Sequence, residues 1–139
     1  MGIKLNEFRY GEAFLELEVK DKHIQLHGVA HGGVLAAMID AAGALAAVTQ
    51  IEGPNSATTI EMKINYLSSA KKGKILAHGR CIKLGKTIGV SEATITDTEK
   101  KLIAHGIVTV MLTSALVLQQ VDGIPPKFHE ADTTEKLGD

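Results

Sequence analysis

A chain of 139 residues suffices for one domain with a single core and is too short for two. Lys and Arg total 15 against 16 Asp and Glu, and there is no Trp with only two Tyr and three Phe. That balance excludes the basic footprint of a nucleic-acid binder and the aromatic platform of a single-strand binder.

The one cysteine, Cys81, excludes an internal disulfide and a Cys-rich metal site. The N-terminus, with Lys4 and Glu7, does not read as a secretory signal, so a cytoplasmic location is expected. No repeat or low-complexity linker divides the chain. One domain is expected over residues 1–120, followed by an extended or frayed polar extension over 121–139 that holds Pro125-Pro126.

Residues 11–20 place Ala13, Leu15, Leu17 and Val19 on one face and Glu12, Glu16, Glu18 and Lys20 on the other, the alternation of a half-buried strand. A turn-like stretch over 21–30 follows, with His23, Gln25, His27 and Gly28. Residues 34–49, dense in Ala, Leu, Met and Ile without Pro, suit about four helical turns. Their apolar side chains do not keep to one stripe, so the helix should be enclosed on most sides. The uncharged run over 32–51 is interrupted by Asp40 and rich in Ala and Gly, which reads as a buried helix rather than a membrane span.

Gly53-Pro54-Asn55 ends that segment, and the period then becomes two. Ile60, Met62, Ile64 and Tyr66 alternate with Thr59, Glu61, Lys63 and Asn65. Further strands are expected over 75–83, 88–96 and 102–113, joined by short links at 71–74, 85–86 and 97–100 that suggest an antiparallel meander. The simplest architecture is α+β, an antiparallel sheet of five or six strands wrapped around one central helix.

Asp40 is the only charged residue between Gly32 and Ile51. Burying an unpaired carboxylate is costly, so Asp40 is either a functional acid or the partner of a Lys or Arg at a subunit contact. His31-Gly32-Gly33 stands directly before the helix. Glycines permit close approach, and the first free N–H groups of a helix favour a carbonyl gaining negative charge. A plain glycine turn that starts a helix is the alternative.

Gly32 and Asp40 lie eight residues apart, about 12 Å along a straight helix. An oxyanion donor and an attacking carboxylate must both reach one carbonyl, with reacting atoms about 3 Å apart. One helix cannot do this; two antiparallel helices related by a two-fold axis can. A shared site, and hence a dimer at least, is expected.

The stretch HGVAHGGVLAAMID over 27–40 resembles hotdog thioesterases of the phenylacetate-pathway (PaaI) type, which show HGG and then a helix with Asp eight residues after the first Gly. The likeness continues through IEMKINY at 60–66, AKKG at 70–73, GKT at 85–87 and LIAHG at 102–106, most of residues 10–113. It implies hydrolysis of an acyl-CoA thioester by a homodimer or, more fully assembled, a homotetramer. The Gly32 N–H would polarise the carbonyl, Asp40 would act as nucleophile or general base, and His31 would shape the approach.

Gln25 stands where relatives often carry Asn, and Thr59 where some carry Ser; both keep hydrogen-bonding ability. The resemblance places substrate binding at Gly33, Tyr66, Lys83, Gly85, Lys86 and Thr87, the two lysines offering cations for phosphates. It implies no cofactor beyond the coenzyme A of the substrate, and no metal, membrane or nucleic-acid partner.

His23, His27 and His31 recur every four residues and on a helix would align as metal ligands, but Gly28 and the strand-like flanks oppose a helix there. No G-x-S-x-G, phosphate-loop or dinucleotide fingerprint occurs. Two rivals remain: a hotdog dehydratase, whose His-acid motifs are not found, and a non-catalytic acyl-CoA-binding or sensor protein.

Overall fold

The computed structural model describes residues 1–114; the boundary at residue 120 and the 121–139 extension lie outside the described residues. The alternation over 11–20 becomes strand β2 (Glu12–Val19), whose Ala13, Leu15, Leu17 and Val19 are buried while its acidic residues face outward. A strand that the sequence did not announce, β1 (Lys4–Arg9), pairs antiparallel with β2. Its register shifts between Leu5 and Glu7, which breaks the period-two pattern that would have revealed it.

Helix α1 (Gly32–Val48) is followed by β3 (Ser56–Tyr66), β4 (Gly73–Leu84), β5 (Ile88–Asp97) and β6 (Leu102–Thr113). The six strands form one antiparallel sheet in the order β1-β2-β4-β5-β6-β3. The expected α+β architecture is present with six strands. The meander holds only for β4, β5 and β6. β3 pairs with β6 rather than β4, so the link over 67–72 is a crossover and not a hairpin. That link finds its own backbone partners: Leu67 and Ser68 donate to the Ile103 carbonyl, and Ala70 accepts from the Ala30 N–H.

α1 packs against β2, β3, β4, β5 and β6 and buries Leu35, Met38, Ile39, Ala42, Gly43, Ala46, Ala47 and Val48. Glycines allow the close fit. A Cβ at Gly79 of β4 would stand 1.9 Å from the Ala42 carbonyl oxygen, and one at Gly106 of β6 would stand 2.6 Å from Ile39 Cγ2. Fully buried Leu17, Met38, Ile39, Ile75, Ile95 and Ile103 complete the core, each contributing about 1.5–3 kcal/mol of apolar burial.

The enclosure is less complete than the helix composition suggests. A single sheet covers one side, so Val34, Ala37, Ala41 and Ala44 remain half-buried along the other. Among the described residues, no helix is long and apolar enough to cross a membrane.

Candidate active site

The loop before α1 is drawn shut by a bridge between Ile24 and Ala30. His31 then caps the helix with an extended backbone (φ −63°, ψ 135°), and its Nδ1 accepts the Gly33 N–H at 2.9 Å. The Gly33 amide is thus engaged inside the cap. The Gly32 N–H, by contrast, has no acceptor among the described residues.

Tyr66, at the end of β3, donates from its hydroxyl to the Gly32 carbonyl at 3.2 Å, and its ring would stand 3.3 Å from a Cβ at position 32. Glycine there leaves room for the ring and keeps the amide uncovered. Gln25, His31 and Gly32 line one cleft of about 760 Å³ together with Ile24, Leu26 and His27. No carboxylate, Lys or Arg among the described residues lines it.

The three regularly spaced histidines hold different backbone positions. His23 is buried; its Nδ1 accepts from Lys20 N–H at 2.9 Å and its Nε2 bonds the Met1 carbonyl at 2.8 Å. His31 caps α1, and His27 bonds Gln25. The contact with Gln25 had no signal in the helical spacing that drew attention to these residues; the signal was their i, i+2 placement in a glycine-closed loop.

Asp40 lies in the middle of α1, half-buried, and its Oδ1 accepts a hydrogen bond from Thr59 Oγ1 at 2.7 Å. Simple alternation had put Thr59 on the outer face with Glu61, Lys63 and Asn65. A register shift between Thr59 and Glu61 overturns that, because two residues of β3 oppose one of β6 and Thr59 turns toward the helix. Ile60 is displaced in exchange and is 52% exposed. No Lys or Arg among the described residues forms an ion pair with Asp40.

The Gly32 and Asp40 groups stay apart within one chain. They sit on the same continuous helix, eight residues and about 12 Å apart. Their β3 partners are equally separated: Tyr66 pairs with Ala104 and Thr59 with Val110, about 20 Å along β6. The turn over 83–87 lies at the Asp40 end, since Leu84 pairs with Gly89, Gly89 with Val110, and Thr87 accepts from Leu112 N–H.

Tyr66 and that turn are therefore not brought together within one chain. The Gly85 N–H is committed, donating to the Ile88 carbonyl at 2.8 Å. Lys83 and Lys86 are exposed, with no ion-pair partner among the described residues.

Cys81 is the one thiol, and it is no rival nucleophile. Burial pushes its proton affinity up, so the reactive thiolate is disfavoured.

Comparison with known proteins assigns the chain to a family. The Thioesterase superfamily model matches residues 27–104, more than half of the chain. The 1,4-dihydroxy-2-naphthoyl-CoA hydrolase of Listeria monocytogenes is 33% identical over 103 residues, 74% of this chain and 84% of its own. A Streptococcus mutans protein whose crystal structure holds acetyl-CoA superposes with a TM-score of 0.75 at 31% identity, over 81% of this chain and 90% of its own. The E. coli PaaI protein superposes with a TM-score of 0.75 at 23% identity, over 81% of this chain and 80% of its own, a likeness in fold. The chain belongs to the thioesterase superfamily and is a thioester hydrolase with the hotdog fold that PaaI shares.

Proposed function

We propose that the chain hydrolyses an acyl-CoA thioester to the free acid and coenzyme A at a site shared between two subunits. One observation carries the reading: an unpartnered Gly32 N–H and a Thr59-held Asp40 carboxylate ride on one helix too far apart to meet. Each group is half of an acyl-transfer site and needs the other half from a second copy.

The sheet supports such an arrangement. Among the described residues β3 is an edge strand of 11 residues with one side free of strand partners. A long open edge of this kind invites pairing. Antiparallel pairing of two β3 strands about Lys63, midway between Thr59 and Tyr66 in the register with β6, would bring Thr59 of one chain to the level of Tyr66 of the other, and with them one Asp40 to the other chain's Gly32. A homodimer is the minimum assembly, and a homotetramer would cover the half-exposed stripe of α1. The same pairing would carry Lys83 and Lys86 toward the Tyr66 end of the second chain, where the CoA phosphates would lie.

In the reaction, the Gly32 N–H donates to the thioester oxygen as it gains charge. The Thr59 hydroxyl occupies Asp40 Oδ1 and leaves Oδ2 to act. As a general base, Asp40 takes a proton from water, whose oxygen adds to the carbonyl carbon. The tetrahedral species then collapses, the C–S bond breaks, and the proton returns to the CoA sulfur. As a nucleophile, Asp40 itself adds and expels CoA, and water cleaves the resulting anhydride. Both routes consume one water. His31 acts by setting the first turn of α1, and through it the direction of the Gly32 amide.

The uncharged cleft beside Gly32, with Ile24 and Leu26 in its wall, favours aliphatic or small aryl acyl groups over charged ones. A thiol-release assay over short, medium, long and aryl acyl-CoAs tests the reading. At least one class should reach kcat/KM of about 10⁴ M⁻¹s⁻¹ or more. Binding of the panel without any thiol release would assign the site to a non-catalytic acyl-CoA sensor.

A further inference from the structure

The loop that precedes α1 contains an unusual pair of contacts. It is fixed by Gln25 N–H to the Val29 carbonyl and Gly28 N–H to the Gln25 carbonyl, both 2.9 Å, with Gly28 at φ +76°. Within it, the side-chain oxygen of Gln25 lies 2.8 Å from His27 N and 2.8 Å from His27 Nδ1.

Those two distances settle which way the amide faces. A backbone N–H can only donate, so the amide atom it meets is the oxygen and not the nitrogen. An amide oxygen cannot donate, so His27 Nδ1 carries the proton in this contact. Two donors converging on one oxygen hold the amide plane against a flip. The Nε2 end of Gln25 is left with no acceptor among the described residues, in the cleft it shares with His31 and Gly32.

The geometry points to His27 as a positioning residue that presents the Gln25 amide N–H, rather than its carbonyl, beside the Gly32 N–H. This rests on the hydrolase reading above and adds to it: with Gln25 among the groups that face the thioester, the His27 ring joins the backbone N–H of residue 27 in holding the Gln25 amide in its donating orientation. A flipped amide would aim an oxygen lone pair at the developing oxyanion and oppose the reaction. His27 is exposed, so its ring supplies little packing, and its loss should act on the amide rather than on the fold.

A double-mutant cycle tests this with His27→Phe, Gln25→Ala and the pair. His27→Phe should lower kcat about tenfold, leave KM within about twofold, and leave the thermal midpoint in place. In the Gln25→Ala background, His27→Phe should change kcat by less than about twofold. His27→Asn should restore most of the rate, because its Nδ2–H stands as many bonds from Cα as Nδ1.

Ring ¹⁵N NMR supplies a readout independent of turnover. Neutral His27 should be the Nδ1–H tautomer, and Gln25→Ala should abolish that preference. An unchanged kcat in His27→Phe, or an equal loss with Gln25 already removed, overturns the positioning role. If the wild type cleaves no thioester, the hydrolase reading fails by itself. The tautomer measurement then decides the Gln25–His27 geometry alone, and an Nε2–H ring would refute it.

Discussion

Asp40→Asn should lose about a thousandfold or more in kcat while folding as the wild type does. Asn keeps the volume of Asp and an oxygen that still accepts the Thr59 hydroxyl at the position held now at 2.7 Å. It cannot take a proton from water or form an anhydride at neutral pH. The position is half-buried within α1 and carries no ion pair among the described residues, so no buried countercharge is orphaned by the change. The loss should fall on kcat, with acyl-CoA affinity retained, because Gly32, Gln25 and Tyr66 remain in place. Steady-state kinetics beside calorimetric binding of a non-hydrolysable acyl-CoA thioether separates the two. Retention of more than about a tenth of the rate would remove Asp40 from the chemistry.

Gly79→Ala should be the most damaging small substitution for stability. Its Cβ would stand 1.9 Å from the Ala42 carbonyl oxygen, 2.3 Å from that carbonyl carbon and 3.0 Å from Gly43 N. These are backbone atoms in the middle of a helix and cannot rotate aside. α1 would have to rise from β4, opening the layer where Ala42 and Ala46 are fully buried and shifting Asp40 relative to Thr59. A destabilisation of about 3 kcal/mol or more is expected, which in a chain of this size lowers the thermal midpoint by about 10 °C. Urea unfolding should show the midpoint falling with little change in slope. An unchanged midpoint would mean that the helix does not rest on β4 at Gly79.

Much of this was legible in the residues because burial imposes a period. Ala13, Leu15, Leu17 and Val19 alternate since one face of β2 meets α1, and the same demand marks β4, β5 and β6. The helix and its lone Asp40 were equally plain, and the eight residues between Gly32 and Asp40 are the ground of the shared-site proposal. What escaped notice lies where the period breaks. The bulge at Ile60 turns Thr59 to the helix side, and an alternating pattern places it outward. β1 hides behind a similar shift.

Pairing partners were also beyond local reading. Nothing within 67–74 distinguishes a hairpin from a crossover, and the choice of β6 over β4 is made by the long-range fit of β3 beside the helix. Gly33 and Gly85 illustrate a further limit. A glycine suggests an accessible amide, yet whether that amide is already bonded depends on a neighbouring side chain or carbonyl that the motif does not specify.

Complementation between two inactive chains tests the shared site most directly. Gly32 occupies the first helical position after His31, where proline is well tolerated, and the extended His31 backbone already suits a following proline. Gly32→Pro therefore deletes the N–H with limited harm to the helix, leaving the Tyr66 ring to give way slightly. Mixed by co-refolding with Asp40→Asn, half of the dimers should hold one intact site, returning about a quarter of wild-type activity. A mixture no more active than its two parents would show that each chain builds its site alone, and would contradict the account.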